Sequence, residues 1–549
     1  MTETFRRHGI QGTLSLIYIR ALFCDYGRER FRRLFIASVL AMFCRSRPAA
    51  ALLLPLLLSV ACADDPVVTQ LDLSAEVSRL THLRLSPGSG QVYVAGVNRI
   101  YQLSSTLARL QEVVTGPRQD NPLSCPASGC PADVATEPTD NVNKVLVVDQ
   151  ESRTLLACGS VLQGACTKYD LNNISLPSQD LPEAIAANDA NSSTVAFIGP
   201  EHYHAWGARR SHLPGQQERG YISRIVRTCV TDANYDSYVE MTLSCGGDNL
   251  LQAARVAEPG DDLSQDAGIL DGDRVLVAAF SPSQGFTNEP QEQSNVCVFS
   301  MKEIEEKFEE NIHMCFNGSM QYRNMEYISG PILDGQCPKA GSVARRGSPA
   351  SDPNLEETDL VSARTTGNIY HFCSEGLKIS AVHSLTAEPV LSWDQRVTSV
   401  AVTSTGRHTV ALLGTQQGTL KKVLVSSMRS ARQYAELPVD PGSPVLADMQ
   451  VDLPGEHVYV PTTQKVTLLR LQTCEQYTNC TECLQTGDPY CGWCSLEKRC
   501  TVRSECGKAD SSSPRWLSID AGQQCIDMER IEPQHIAIDQ QAQVSSVVP

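Results

Sequence analysis

From residue 64 to about 473 the chain runs in short stretches where apolar and polar positions alternate. His82–Leu85 is one such stretch, and Ser86-Pro87-Gly88-Ser89-Gly90 turns it. Gln91–Ala95 and Arg99–Leu103 follow on either side of Gly96-Val97-Asn98. The pattern recurs at Lys144–Val148, Thr154–Ala157, Arg274–Phe280, Asn295–Phe299, Val397–Thr403, His408–Leu413, Thr419–Val425, His457–Val460 and Lys465–Leu469. Alternation with Gly, Pro or Asn punctuation is the signature of half-buried strands joined by turns. Units of four short strands repeated over hundreds of residues predict a β-propeller, which also protects sheet edges by radial closure. At about 40–45 residues per blade, this stretch has room for seven blades with long loops. Val67–Leu73 is placed to supply the outermost strand of the last blade. One segment breaks the period: Met301–His313 spaces Ile304, Phe308 and Ile312 four apart, a helix expected to pack on the propeller. The expected fold class is therefore all-β, a seven-bladed propeller followed by a small cysteine-rich domain.

Charge and hydropathy set the first 63 residues apart. They hold nine Lys/Arg against three Asp/Glu, so residues 64–549 carry −22, against a formal net −16 for the whole chain. Ala49–Val60 is an apolar run preceded by Arg45 and Arg47 and followed by Ala61-Cys62-Ala63, the parts of a secretory signal peptide. It falls short of the roughly 20 residues a membrane span takes. Met42 would begin a leader of ordinary size, so residues 1–41 are expected to be an upstream extension. No other run is long and apolar enough to predict a transmembrane helix. The acidic balance argues against a nucleic-acid protein, since phosphate binding needs a basic patch.

Cysteine usage divides the chain beyond the leader. Ten cysteines fall between Asp64 and Thr473, and eight in the 52 residues Cys474–Cys525. A module that small has little core, and disulfides compensate. The boundaries expected are 1–63 leader, 64–473 propeller, 474–525 cysteine-dense module and 526–549 the start of a further stalk module. Four N-x-S/T sequons, at Asn173, Asn191, Asn317 and Asn479, suit an exported glycoprotein.

Catalytic chemistry finds no footing. Cys491-Gly492-Trp493-Cys494 imitates a redox dithiol, and with Cys480 and Cys483 a four-thiolate zinc site. In an oxidising compartment, among further cysteines, structural disulfides are the better reading, with Trp493 as packing centre. His202 and His204 match no ligand spacing, and there is no G-x-S-x-G or P-loop. Asp232, Asp236 and Glu240 lack a partner base and are expected to be solvated or hydrogen-bonded in turns. Arg345-Arg346 sits in a Gly/Ser/Pro-rich surface loop. No enzyme activity, cofactor or metal is expected.

Several stretches carry a resemblance over about residues 66–549. They are VYVAGVNRIYQLS (Val92–Ser104), VTGPRQDNPLSCP (Val114–Pro126), NKVLVVD (Asn143–Asp149), ACGSVLQGAC (Ala157–Cys166), CVTDANYDSYVEMTLSC (Cys229–Cys245) and LLGTQQGTLKKVLV (Leu412–Val425). Together they resemble the sema domain of plexins, the semaphorin receptors, with the A type slightly favoured over the B type. The spacing C-x5-C-x2-C-x7-C-x2-C-x5-C-x5-C-x18-C from Cys474 resembles a PSI domain. The resemblance implies the pairs Cys125–Cys130, Cys158–Cys166, Cys229–Cys373, Cys245–Cys297 and Cys315–Cys337 in the sema region. In the PSI region it implies Cys474–Cys491, Cys480–Cys525, Cys483–Cys500 and Cys494–Cys506. The chain departs from the family in one place. Only 62 residues separate Cys166 from Cys229, where several more strands are expected.

The resemblance implies the extracellular ligand-binding head of a semaphorin receptor in cell guidance, including axon guidance and cell migration. It would be placed through the secretory pathway at the outer side of the plasma membrane, or secreted if the chain is complete. The partner implied is a semaphorin, with a receptor dimer or co-receptor beside it, no nucleic acid, and a membrane only through a segment outside this chain. No ligand contact residue is assigned; the region Cys229–Cys373 is favoured by family position. The alternatives are a secreted or truncated decoy isoform and a semaphorin-type ligand, which also joins sema to PSI. Binding is expected to be weak because of the short Cys166–Cys229 segment.

Overall fold

The computed structural model describes residues 66–122, 133–184, 202–210, 221–229, 237–269, 272–316, 378–507 and 515–520, with shorter stretches between and after them. The leader and the proposed extension lie outside the described residues. Six sheets of four or five strands follow one another as blades. Blade 1 is Leu80–Leu85, Val92–Gly96, Arg99–Leu103 and Arg109–Val114; blade 2 is Asn143–Asp149, Thr154–Gly159, Ala165–Asp170 and Gln179–Ala184. Blade 3 begins with His202–Arg210, Tyr221–Cys229 and Tyr238–Cys245. Blade 4 is Leu250–Ala257, Val275–Ser281, Ser294–Ser300 and Leu391–Trp393; blade 5 is Val397–Ser404, Thr409–Thr415, Thr419–Ser427 and Ser430–Pro438. Blade 6 takes Gln450–Val451, His457–Pro461 and Lys465–Arg470 from the end of the propeller and Val67–Asp72 from its start. That antiparallel pairing, Leu71 opposite Val466, closes the ring with the strand expected for it.

The burial of each strand follows from its place in a blade. Val275–Ser281 and Thr409–Thr415 are second strands, covered on both faces by neighbouring blades, and every residue in them is buried. This is why VLVAAFS and TVALLGT, expected as alternating strands, are nearly continuous apolar runs. The outer strand Ser430–Pro438 has one wet face and alternates.

Apolar clusters join successive blades. Blades 6 and 1 share one around Leu80, Tyr101 and Leu468; blades 1 and 2 another around Tyr93 and Leu155. Blades 3 and 4, 4 and 5, and 5 and 6 are joined in the same way. Among the described residues no such cluster joins blades 2 and 3. The described strands thus make six blades, and the residues between the last strand of blade 2 and the first strand of blade 3 lie largely outside those described.

Two helices decorate blade 4. α1, Asp261–Ala267, lies between its first two strands. α2, Met301–Phe316, follows its third strand and buries Ile304, Phe308 and Ile312 completely against blades 3 and 4. After α2 the chain reaches back to blade 3, where Lys378–Ser380 and Leu385–Ala387 pair parallel to Tyr238–Cys245, before Leu391–Trp393 completes blade 4.

Candidate interaction surface

Sheet order assigns every loop to a face. In an antiparallel blade numbered from the axis outward, connections one-to-two and three-to-four emerge on one face. Connections two-to-three and blade-to-blade emerge on the other. Contacts between blades agree. On the first face Asp261 N donates to Gly406 O (3.0 Å) and Gln150 Nε2 to Ser86 Oγ (2.7 Å). On the second Asn249 Nδ2 donates to Ser283 Oγ (3.2 Å).

The cysteine-dense module sits on the first face. Four disulfides hold it: Cys474–Cys491, Cys480–Cys525, Cys483–Cys500 and Cys494–Cys506. Both C-x-x-C cysteines therefore pair outward and not with each other. The sulfurs themselves fill the core: Cys474, Cys483, Cys491 and Cys500 form one buried cluster, and Cys494 and Cys506 another with Trp516. Trp493, expected at the packing centre, packs half-buried against the first cluster. The second belongs to Trp516, 8% exposed, whose indole N–H donates to Thr501 O (3.1 Å). Gly492 makes this possible, since a Cβ there would lie 2.2 Å from the Trp516 ring. α3, Cys480–Gln485, is capped by Asn479, whose Oδ1 accepts from Glu482 N (2.8 Å).

The module is locked to blades 5 and 6 by polar contacts around a buried pair of charges. Lys422 Nζ donates to Leu471 O (2.8 Å), and burial lowers its pKa. Burial raises the Asp488 carboxyl to about 6, against the pull of the Lys422 ammonium. Tyr490, pushed up to about 12 mainly by burial, packs on the blade 5–6 cluster and reaches Thr403 Oγ1 (3.3 Å). Arg432 donates to Gly487 O (3.2 Å). At the rim Arg407 and His408 each bridge two carboxylates. Arg407 Nε lies 3.2 Å from Asp262 Oδ1, and its Nη1 lies 3.3 Å from Asp520 Oδ2. His408 Nδ1 lies 3.0 Å from Asp262 Oδ2, and its Nε2 lies 3.3 Å from Asp520 Oδ1. An open groove of about 880 Å³ remains between module and propeller, lined by Pro454, His457, Arg470, Tyr490 and Arg503 among others.

In the propeller, Cys158–Cys166 staples directly opposed residues of one hairpin, and Cys245–Cys297 ties blade 3 to blade 4. Cys125, Cys229 and Cys315 are disulfide-bonded; their implied partners Cys130, Cys373 and Cys337 lie outside the described residues. So do Asn191, Asn317, Asp232, Asp236 and Arg345-Arg346, along with the side chains of His202 and His204. Asn173 lies in the three-to-four connection of blade 2, on the module-bearing face, and its Oδ1 accepts from Ser175 N (2.9 Å). Glu240 corrects an expectation: it is not solvated but 1% exposed, bonded by Tyr238 Oη (2.8 Å) and paired with Arg224 (3.8 Å). Among the described residues no group of His, Cys, Asp and Glu is placed to hold a metal, and no helix is long and apolar enough to cross a membrane.

The other face carries the feature the sequence did not flag. The connection 282–293 in blade 4 projects Phe286, 56% exposed. The joint residues Asp262, Arg407, His408, Lys422, Asp488 and Asp520 were also missed, because each contact spans distant parts of the chain and none has a local pattern.

Comparison with known proteins agrees with this architecture. The Sema domain profile matches residues 251–452, and the PSI profile, described as a plexin repeat, matches 473–526. Mouse Plexin-B3 is 28% identical over 540 residues, covering 85% of this chain and 26% of its own length. Human Plexin-A3 is 26% identical, covering 84% of this chain and 28% of its own. The chain thus spans about a quarter of the curated relatives it matches. Among solved structures, the full extracellular region of Plexin A4 superposes with a TM-score of 0.67 at 23% identity, over 85% of this chain and 53% of that one. Drosophila Plexin A, solved in complex with Semaphorin 1b, gives 0.54 at 15% identity, over 82% and 96%. At those identities the structures speak for the fold alone.

Proposed function

The chain belongs to the plexin family, and we propose that it is the extracellular ligand-binding head of a plexin-type receptor whose partner is a semaphorin. The observation that carries this reading is the sema propeller locked to a PSI module, with that module occupying one face and leaving the other clear of it. Such a head binds a partner as a rigid body, so little ordering is lost on association. Affinity then rests on shape and charge complementarity over a standard-sized interface. Its role is recognition; signalling belongs to parts of the receptor outside this chain. The secretory route, the outer face of the plasma membrane and the four sequons as glycan sites belong to the same reading.

The short Cys166–Cys229 segment bears on affinity. Because it holds fewer residues than the family pattern leads us to expect, we expect weak monovalent binding. The test is surface plasmon resonance of the secreted chain against a panel of dimeric semaphorin ectodomains, first in solution and then with the chain densely displayed. Weak monovalent binding that strengthens on display is expected, because display adds effective concentration. No binding to any semaphorin in either format overturns the reading. Plexin-like monovalent affinity overturns the role given to the short Cys166–Cys229 segment.

A further inference from the structure

We propose that the hairpin tip 282–293, with Phe286 at its apex, is the anchor by which this propeller holds its protein partner, whose matching surface is an apolar pocket rimmed by basic groups. This rests on the semaphorin reading above and adds the place and the chemistry of the contact.

The tip is built to be stiff. Gln284 N donates to Glu289 O (2.8 Å) and Gln291 N to Pro282 O (2.9 Å). The side chains repeat the clamp: Gln284 Nε2 donates to Pro290 O (2.9 Å), Gln291 Nε2 to Ser283 O (2.9 Å), and Thr287 Oγ1 to Gln284 O (2.8 Å). Asn249, in the connection from blade 3, grips Ser283 with both ends of its amide (3.1 and 3.2 Å). Gly285 takes φ +63°, a left-handed turn that glycine adopts without strain, immediately before Phe286. A lone exposed apolar side chain is ordinary on a protein surface. A lone exposed aromatic on a loop clamped by its own glutamines is different, because a rigid, desolvatable ring is what binding hot spots are made of.

Position and charge point the same way. The tip emerges on the face opposite the PSI module. Both described sequons stand away from it: Asn173 on the module-bearing face and Asn479 in the module itself. In each, the side-chain hydrogen bond above uses the amide oxygen, and a glycan would attach at the nitrogen. The tip PSQGFTNEPQEQ has two glutamates and no Lys or Arg, on a chain of net −16. A basic partner surface is the complement. The disulfide Cys245–Cys297 fixes this blade to its neighbour and so steadies the platform under the tip.

The test uses the full chain, secreted and displayed, against dimeric semaphorin ectodomains. Phe286→Ala should weaken binding ten- to a hundred-fold. Pro290→Thr creates an Asn288-Glu289-Thr sequon; once intact mass confirms the added glycan, binding should be abolished. Asn173→Gln and Asn479→Gln should bind as the parent does. Equal secretion and melting of Phe286→Ala keep a folding defect from imitating the result, since that side chain is exposed. A parent chain that binds no semaphorin overturns both the receptor reading and the anchor. A parent that binds, with Phe286→Ala and the glycosylated Pro290→Thr binding equally well, overturns the anchor alone.

Discussion

The propeller and the PSI module face the same problem with different means. Each propeller blade is thin, yet adjacent blades bury each other's faces, so strands such as Val275–Ser281 and Thr409–Thr415 are wholly buried, the first with the disulfide Cys245–Cys297 beside it and the second by packing. The PSI module is small, and its core is largely sulfur, with Trp516 and Ala509 beside Cys494 and Cys506. Repetition supplies apolar surface in one region, and cross-linking limits the unfolded chain in the other. The two should therefore fail under different insults.

The largest effect is expected from breaking the covalent side of the contrast. Cys483→Ser with Cys500→Ser removes a cross-link over 17 residues and two residues of the central cluster. The loop-closure part alone is about 3 kcal/mol, comparable with the whole stability of so small a module. Limited proteolysis should cleave beyond residue 473 while the propeller stays resistant. The counterpart, Cys158→Ser with Cys166→Ser, removes a staple across residues already paired in one hairpin. It should leave the propeller folded; a propeller that unfolds instead would mean the two regions are held alike.

Next in size is the reverse insult. Phe308 is fully buried between α2 and blades 3 and 4. Phe308→Ala should cost about 3–5 kcal/mol and lower the propeller's melting transition. The PSI disulfides should stay as protected from thiol reagents as before, which mass spectrometry after alkylation would check.

The same contrast governs how much of the molecule is legible in its chain. A period-two pattern is local, so strands such as Arg99–Leu103 and the helix carrying Ile304, Phe308 and Ile312 were legible, as was the closing strand beside Lys465–Arg470. Trp493, between two cysteines, was legible as packing on the cysteine core, whereas Trp516 was not, because Gly492 opens the second cluster to a ring more than twenty residues on. Glu240 misled because its partner Arg224 comes from the adjacent strand, and no alternation rule reports a charge paired inside a sheet. The joint was illegible for a stronger reason. Lys422 and Asp488, or His408 and Asp520, meet only after two modules dock, and docking geometry is written in no local pattern. Phe286 stood in a segment that looked like any polar loop.

A third prediction tests the joint where the two strategies meet. Asp488 has its folded pKa raised from 3.8 to about 6. A raised carboxylate contributes stability that is fully present below its ordinary value and lost as pH rises through about 6. Two units correspond to about 3 kcal/mol at most. The docked pair of modules should therefore melt higher at pH 5 than at pH 7.5 through this group. Asp488→Asn should flatten the dependence between about pH 4 and 7. An unchanged slope would locate the pH response elsewhere.

The smallest effect is expected at the rim of that joint, and it separates docking from folding. Arg407 and His408 bridge Asp262 of the propeller and Asp520 of the module, but the Arg407 side chain is 53% exposed and water can replace much of what it gives. His408, at 12%, is the better shielded of the two. Partly exposed pairs of this kind contribute about 1 kcal/mol or less. His408→Ala should thus leave both modules folded, with melting lowered by a degree or two at neutral pH. Hydrogen exchange should nonetheless quicken at Trp516–Leu517, the short strand closest to Asp520, because the clasp limits opening of the groove rather than the stability of either core. A double-mutant cycle with Asp520→Asn should show coupling of about 0.5–1 kcal/mol. Additive effects would mean that the two residues act separately, and that docking rests on the other contacts of the joint, such as those of Lys422, Tyr490 and Arg432.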